Sequence, residues 1–175
     1  NTVDIHVGDE SSKPQRCPLP ENVSIKSVTA GDSHTLFVSR QGKVYACGNN
    51  MSGQLGLGQD KKCQVKPKRV DAGLKEETIA VISAGNAHSA AVSSHGKLYT
   101  WGAGWHGRLG HGNTKNMYIP KTVSWFGYKI VTDVECGFAH TLALTSDCVL
   151  YAFGKNDQRL GAKHREDLEH LPHCL

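Results

Sequence analysis

Along residues 34–38 the chain alternates. His34, Leu36 and Val38 share one face at the period of two that an extended strand imposes, and Thr35 and Phe37 share the other. Arg40-Gln41-Gly42 supplies a glycine-bearing turn, and Lys43–Cys47 resumes as a second strand, so the segment predicts a β-hairpin. The same pattern returns at 88–93 with 97–101 and at 140–145 with 149–153. The second strand carries bulk on both faces, Val44 and Ala46 on one and Tyr45 and Cys47 on the other. A sheet apolar on both faces has to be covered on both. Helical periodicity is sparse; short helices are expected only at Leu74–Glu77 and Arg165–Leu171.

The hairpins belong to a longer repeat. AGDSHTLFVSRQGKVYACGNNMSGQLGLG at 30–58, AGNAHSAAVSSHGKLYTWGAGWHGRLGHG at 84–112 and CGFAHTLALTSDCVLYAFGKNDQRLGA at 136–162 align. Gly31, Gly85 and Gly137 open them at spacings of 54 and 52 residues; His34, His88 and His140 follow, and Gly48, Gly102 and Gly154 close the second strand. A second marker, P-x-x-[VL], keeps phase at Pro20, Pro67, Pro120 and Pro172. The chain therefore divides into repeats at 24–70, 71–123 and 124–175, with 1–23 the tail of a preceding repeat or a linker. Small two-faced sheets at a period of roughly 50 residues point to propeller blades. The expected fold is all-β, with about three four-stranded blades.

Composition adjusts this picture only a little. Glycine, 19 of 175 residues, fits a chain with many tight turns, and the net charge of +4 permits an acidic partner without demanding one. The opening NTVDIHVGDESS is no signal peptide, and no apolar run is long enough to span a bilayer. No initiator Met is present, which suits a processed product or a fragment. The six cysteines are scattered without a C-x-x-C pair, and read as reduced thiols of a cytoplasmic or nuclear protein. The sequons at Asn22 and Asn50 then carry no glycan.

The repeated A/C-G-x-x-H-[TS], the G-[KV]-[VL]-Y-x-x-G hairpin end and the G-x-x-x-x-G-[QR]-L-G tail resemble the repeat of the regulator of chromosome condensation family, over about 24–175. The resemblance implies a propeller, typically of seven four-stranded blades. Three repeats leave two blade faces bare, so the remaining blades are expected from the rest of a longer chain or from oligomerisation. The third copy departs from the pattern: Cys148 stands where Gly42 and Gly96 make the turn, and its tail GKNDQRLG is one residue short.

Several chemical readings can be weighed on the residues. GNNMSGQLGLG has the glycine spacing of a phosphate-binding loop, but Gln54 and Leu55 stand where Lys and Ser/Thr are needed, and the segment recurs once per repeat. Its glycines are better read as turns that let Leu55, Leu109 and Leu160 tuck inward. His34, His88 and His140 recur in one local slot, which suits a hydrogen bond to a nearby turn rather than a metal triad. His164, His170, His173 and Cys174 match no standard metal spacing. No G-x-S-x-G or H-E-x-x-H appears, and Asp32 and Glu135 have no evident acid–base partner, so neither catalysis nor a cofactor is expected.

Binding is the better expectation. Lys61, Lys62, Lys66, Lys68 and Arg69 form a basic stretch that reads as a solvated loop entering an outer strand, or as a nucleic-acid patch without aromatics to stack bases. Blade-end loops are where the family presents partner surfaces. Asp32, Ser33, Asn86 and Phe138 are the candidates on one side, with Trp105, His106 and Arg108, joined by Met51 and Gln54, on the other side or at the rim. Some members of the family exchange nucleotide on a Ran-type small GTPase with acidic loop residues; Asp32 matches such a slot, whereas Asn86 and Phe138 carry no acid. The plant ultraviolet receptors of the family carry G-W-R-H-T where this chain reads GDSHT, GNAHS and GFAHT. The leading expectation is a protein-interaction scaffold. The alternatives are a guanine-nucleotide exchange factor for a small GTPase and a chromatin-binding propeller.

Overall fold

The alternation at 34–38 and its two copies do form hairpins. The computed structural model describes residues 16–59, 63–155 and 168–174, with 168–171 and 173 described by their backbone. His34–Ser39 (β2) pairs with Val44–Gly48 (β3), His88–Ser93 (β6) with Leu98–Gly102 (β7), and His140–Thr145 (β10) with Leu150–Lys155 (β11). Each hairpin gains a strand on either side. Ile25–Ala30 (β1), Ile79–Ala84 (β5) and Val131–Cys136 (β9) precede it; Gln64–Arg69 (β4), Met117–Thr122 (β8) and Leu168–Cys174 (β12) follow it. The described residues thus make three antiparallel four-stranded sheets, β1-β2-β3-β4, β5-β6-β7-β8 and β9-β10-β11-β12, each the blade of a propeller.

The blades stack face to face, and burial shows it. Every residue of β6 and β7 is buried, because the middle blade is covered on both sides. In β2 and β10, Phe37, Leu142 and Leu144 are only partly covered or exposed, because one face of each outer sheet has no neighbour among the described residues. Leu36, Val38, Val44 and Ala46 meet Ala91, Tyr99 and Trp101 across the first seam. Ala90, Val92 and Leu98 meet Val134, Ala143, Tyr151 and Phe153 across the second. The bulk on both faces of the hairpins is thereby consumed.

The prolines of the P-x-x-[VL] marker, Pro67, Pro120 and Pro172, sit buried in β4, β8 and β12, the last strand of each sheet. An edge strand has backbone donors to spare, so the missing N–H costs no ladder bond. Gly48, Gly102 and Gly154 end the second strand opposite His34, His88 and His140, at φ of 108°, 99° and 115°. A Cβ on Gly48 would stand 2.6 Å from the Ser33 carbonyl oxygen, so a larger residue fails on both space and torsion.

Two sequence expectations change. Leu74–Glu77 is a pair of turns, with Leu74 N–H on the Asp71 carbonyl at 3.2 Å and Glu77 N–H on the Leu74 carbonyl at 3.1 Å, following Gly73 at φ 76°. Leu74 is buried as a plug, and the nine residues between β4 and β5 are spent on turns rather than on a helical ladder. Residues 168–171, expected as helix, belong to β12, where Leu168 and Glu169 pair with Lys155 and Gly154; the open edge of β11 recruits them. Leu160, His164, Lys61 and Lys62 lie outside the described residues.

Cys148 closes the third hairpin in the conformation of the glycines it replaces. Its φ is 62°, against 72° for Gly42 and 80° for Gly96, and its N–H bonds the Thr145 carbonyl at 2.9 Å as theirs bond Ser39 and Ser93. Gly42 is pressed under Thr78 and Gly96 under Ile130, whereas Cys148 is exposed and meets only the torsional penalty. Cys148→Gly is therefore expected to stabilise the fold by about 1 kcal/mol. A chemical-denaturation midpoint unchanged or lowered by the substitution would refute this.

Candidate functional site: one loop face of the propeller

In an antiparallel sheet of four sequential strands, the first and third connections must emerge at the same end. The β1–β2 and β3–β4 loops of each blade therefore share one face of the disc. The residues after the first glycine and the residues between the later glycines, the latter expected on the other side or at the rim, come together on one face. Asn49, Ala103 and Lys155 N–H groups bond the Ser33, Ala87 and Ala139 carbonyls at 2.8, 2.8 and 2.9 Å. Between blades, Asp32 N–H reaches the Gly85 carbonyl at 3.2 Å and Asn86 N–H the Gly137 carbonyl at 3.4 Å. The face is one hydrogen-bonded surface, not three separate loops.

Beneath it runs a repeated seam. His34 Nε2 lies 2.8 Å from Ser89 Oγ, which donates to the Gln54 carbonyl at 2.7 Å. One repeat on, His88 Nε2 lies 3.0 Å from Thr141 Oγ1, which donates to the Arg108 carbonyl at 2.7 Å. Each hydroxyl has one proton and commits it to a carbonyl, so each imidazole donates from Nε2. Nδ1 of His34 and of His88 makes no hydrogen bond among the described residues. Burial pushes the His34 pKa down to about 4 and that of His88 well below its ordinary value. Both are neutral staples between blades, and their partner is the next blade's Ser or Thr rather than a nearby turn. His140 occupies the same slot in the third blade, opposite Gly154.

The candidates sort by exposure. Asp32 and Ser33 are exposed and Asn86 is half-buried. Met51, Trp105 and Phe138 are 59%, 55% and 63% exposed, large apolar side chains on the face. Trp105 keeps more than half of its surface in solvent, although the short turn that carries it lies against β11 and β12 of the next blade. His106 is half-buried in a left-handed turn at φ 62°. Its pKa is lowered by desolvation first and then by Arg108 and Lys155.

Arg108 and Gln54 are corrections. Both are 2% exposed. Arg108 Nε donates to the Trp105 carbonyl at 3.0 Å and Nη1 to the Phe138 carbonyl at 2.9 Å, so the guanidinium ties two blades from below instead of meeting a partner. The Gln54 carbonyl accepts from Ser89 and from Trp101 Nε1, the latter at 2.9 Å. The two share one repeat slot, and that slot's carbonyl serves the seam. Leu55 and Leu109 beside them are fully buried, as the turn reading of the glycine tail requires.

Lys66, Lys68 and Arg69 are exposed on β4, the last strand of its sheet, away from the loop face; Arg69 pairs with Asp71 at 2.9 Å. Asn50 of the second sequon is buried, with its Oδ1 accepting the Leu55 N–H at 3.0 Å, which leaves no room for a glycan. Among the described residues no group of His, Cys, Asp and Glu is placed to hold a metal ion, and no helix is long and apolar enough to cross a membrane. Sequence reasoning passed over Lys115, whose backbone carbonyl lies against Gly104, and Lys155, whose charge acts on His106. The signal was present: residues 103–116 contain Arg108, Lys115 and two histidines but no carboxylate.

The model of the regulator of chromosome condensation (RCC1) repeat matches residues 41–92 and 95–144, and a second model of the same repeat matches 25–54, 79–108 and 131–159. The chain belongs to the RCC1 repeat family. Among related RCC1 proteins, the ultraviolet-B receptor UVR8 of Arabidopsis thaliana is 36% identical over 97% of this chain and 39% of the receptor. The E3 ubiquitin-protein ligase HERC2 of Homo sapiens is 37% identical over 86% of this chain and 3% of the ligase. The chain thus spans well under half of either relative. Among solved structures, human WBSCR16 superposes with a TM-score of 0.81 at 20% identity, over 100% of this chain and 43% of that one. Prp20p of Saccharomyces cerevisiae, described with its binding to Gsp1p and histones, superposes with a TM-score of 0.76 at 24% identity, over 86% and 38%. At these identities the structures speak for the RCC1 fold.

Proposed function

We propose that this chain is a protein-interaction portion of an RCC1-type propeller, which presents the β1–β2 and β3–β4 loops of its blades to a protein partner. One observation carries the reading: three large apolar side chains, Met51, Trp105 and Phe138, stand exposed on a single face whose backbone is cross-braced from blade to blade. Rigid exposed aromatics lose little entropy on binding and are the residue types that dominate interface energetics. The mechanism is scaffolding. The seam histidines and Arg108 hold the loops, and the loops' variable side chains do the recognising.

The test compares two ends of the same sheets. Affinity capture followed by quantitative mass spectrometry is run with Ser33→Arg, Met51→Glu and Asn86→Arg on the loop face, and with Arg40→Glu and His95→Glu at the opposite turns. Partners lost with the first set and retained with the second support the reading. Loss only with the second set overturns it. Nucleotide exchange is the second reading, favoured by the exposure of Asp32 on this face. It requires accelerated release of a fluorescent guanine nucleotide from a Ran-type GTPase and its loss in Asp32→Asn. Chromatin binding through Lys66, Lys68 and Arg69 requires a steep salt dependence of DNA affinity.

A further inference from the structure

We propose that the junction of the second and third blades on this face, centred on Trp105 and Phe138, docks an acidic peptide segment that carries an apolar anchor residue. The proposal rests on the loop-face reading and names the partner's chemistry. The two aromatic side chains belong to loops of different blades, yet one guanidinium fixes both backbones, at 3.0 Å on the Trp105 carbonyl and 2.9 Å on the Phe138 carbonyl. The Arg108 charge also lies 5.9 Å from the Trp105 ring centroid. The backbones that carry the two rings are held relative to each other, which makes the pair an apolar platform with little main-chain freedom to lose.

Within the loop that carries Trp105 the charge is one-sided. The ion pairs among the described residues join Arg69 to Asp71, Lys97 to Glu77 and Lys129 to Asp147; none takes up Arg108, Lys115 or Lys155. The partners found for the Arg108 guanidinium are neutral carbonyls, and burial is what lowers its pKa. Lys155 and Arg108 both act on His106, and no carboxylate lies anywhere in 103–116. A desolvated cation solvated only by dipoles is attracted to a carboxylate more strongly than an exposed one, because less water screens it. The match is then an apolar residue on Trp105 and Phe138 with acidic neighbours toward Lys115 and Lys155, while the buried Arg108 charge acts from beneath the face. Nucleic acid fits less well, because a phosphate backbone needs a row of solvent-exposed cations and the most central cation here is buried.

The probe is a random peptide display library panned on the full chain, and the enriched peptide is then synthesised with a fluorophore for anisotropy titration. Enriched peptides are expected to combine Asp or Glu with a Leu, Met, Phe or Trp anchor. Trp105→Ala with Phe138→Ala should weaken binding by about 30-fold or more. Lys115→Glu and Lys155→Glu should each weaken it by about 5-fold, and Asp32→Asn should leave it unchanged. All these side chains are on the surface, and far-UV circular dichroism checks that the variants fold. Peptides without acidic residues, full affinity in the double variant, or tighter binding of oligo(dT) than of the enriched peptide would each overturn the proposal. A peptide lost with Met51→Glu or Asn86→Arg but held by the double variant overturns it while leaving the loop-face reading standing. Indifference to both sets overturns both.

Discussion

Lowering the pH from 6.5 toward 4 is expected to remove several kcal/mol of this fold's stability, and the seam histidines are the cause. His34 has its pKa pushed down to about 4, chiefly by desolvation, with Asp32 opposing, and His88 is depressed further by desolvation and then by Arg108. Both are therefore neutral in the folded chain, while the unfolded chain titrates them near 6.5. Above that pH neither state binds the proton, and their full contribution is present. As pH falls below 6.5 the unfolded state takes up protons that the folded state refuses, so stability drops until the folded-state values are reached. Two such groups give a limiting slope of about 2.7 kcal/mol per pH unit. His111, also lowered to about 4 by burial and bonded to Thr100 Oγ1 at 3.1 Å, adds a smaller part because it is less enclosed. Urea midpoints at pH 7.5, 6 and 5 measure the slope. His88→Gln keeps a donor for Thr141 without a titrating ring, so its slope should fall by about one proton. An equal slope in that variant would show that His88 is not the neutral staple described.

The second large effect sits at the first seam. Trp101 is fully buried between blades, where its ring fills the space above Leu55 and Gly56 and its Nε1 donates to the Gln54 carbonyl. Trp101→Ala should cost about 3–5 kcal/mol, because two sheets braced by backbone hydrogen bonds on the loop face cannot collapse into the cavity. Trp101→Phe should cost only about 1–2 kcal/mol. The Gln54 carbonyl keeps its bond from Ser89, and Phe153 already fills the equivalent slot of the third blade. A far-UV unfolding curve placing the alanine variant within 1 kcal/mol of the parent would sink the account of the seam.

Much of this is legible in the residue order. A period-two pattern with bulk on both faces requires strands covered on both sides, and its return with the same glycines and histidines requires a stack of equivalent sheets. Those are local rules, so hairpins, blade phase, the inward leucines and the turn glycines follow from residue order alone. The helix expected at 165–171 failed because its local pattern competed with an open strand edge that only the folded blade possesses. The seam was half legible. The paired recurrence of His and Ser/Thr was visible, but a single repeat cannot show that His34 bonds a hydroxyl 55 residues away.

Residue order is enough to specify a chain of two-faced β units in fixed phase, because strand periodicity and glycine torsions act within a few residues. Which side chains remain for a partner is settled by packing between blades. Arg108 and Trp105 stand three residues apart in one loop, and composition treats them alike as interface residues. Packing sends the guanidinium beneath the face, to carbonyls of two blades, and leaves the indole in solvent. Burial depends on what the neighbouring blade brings to the seam, and that neighbour is 30 residues away along the chain.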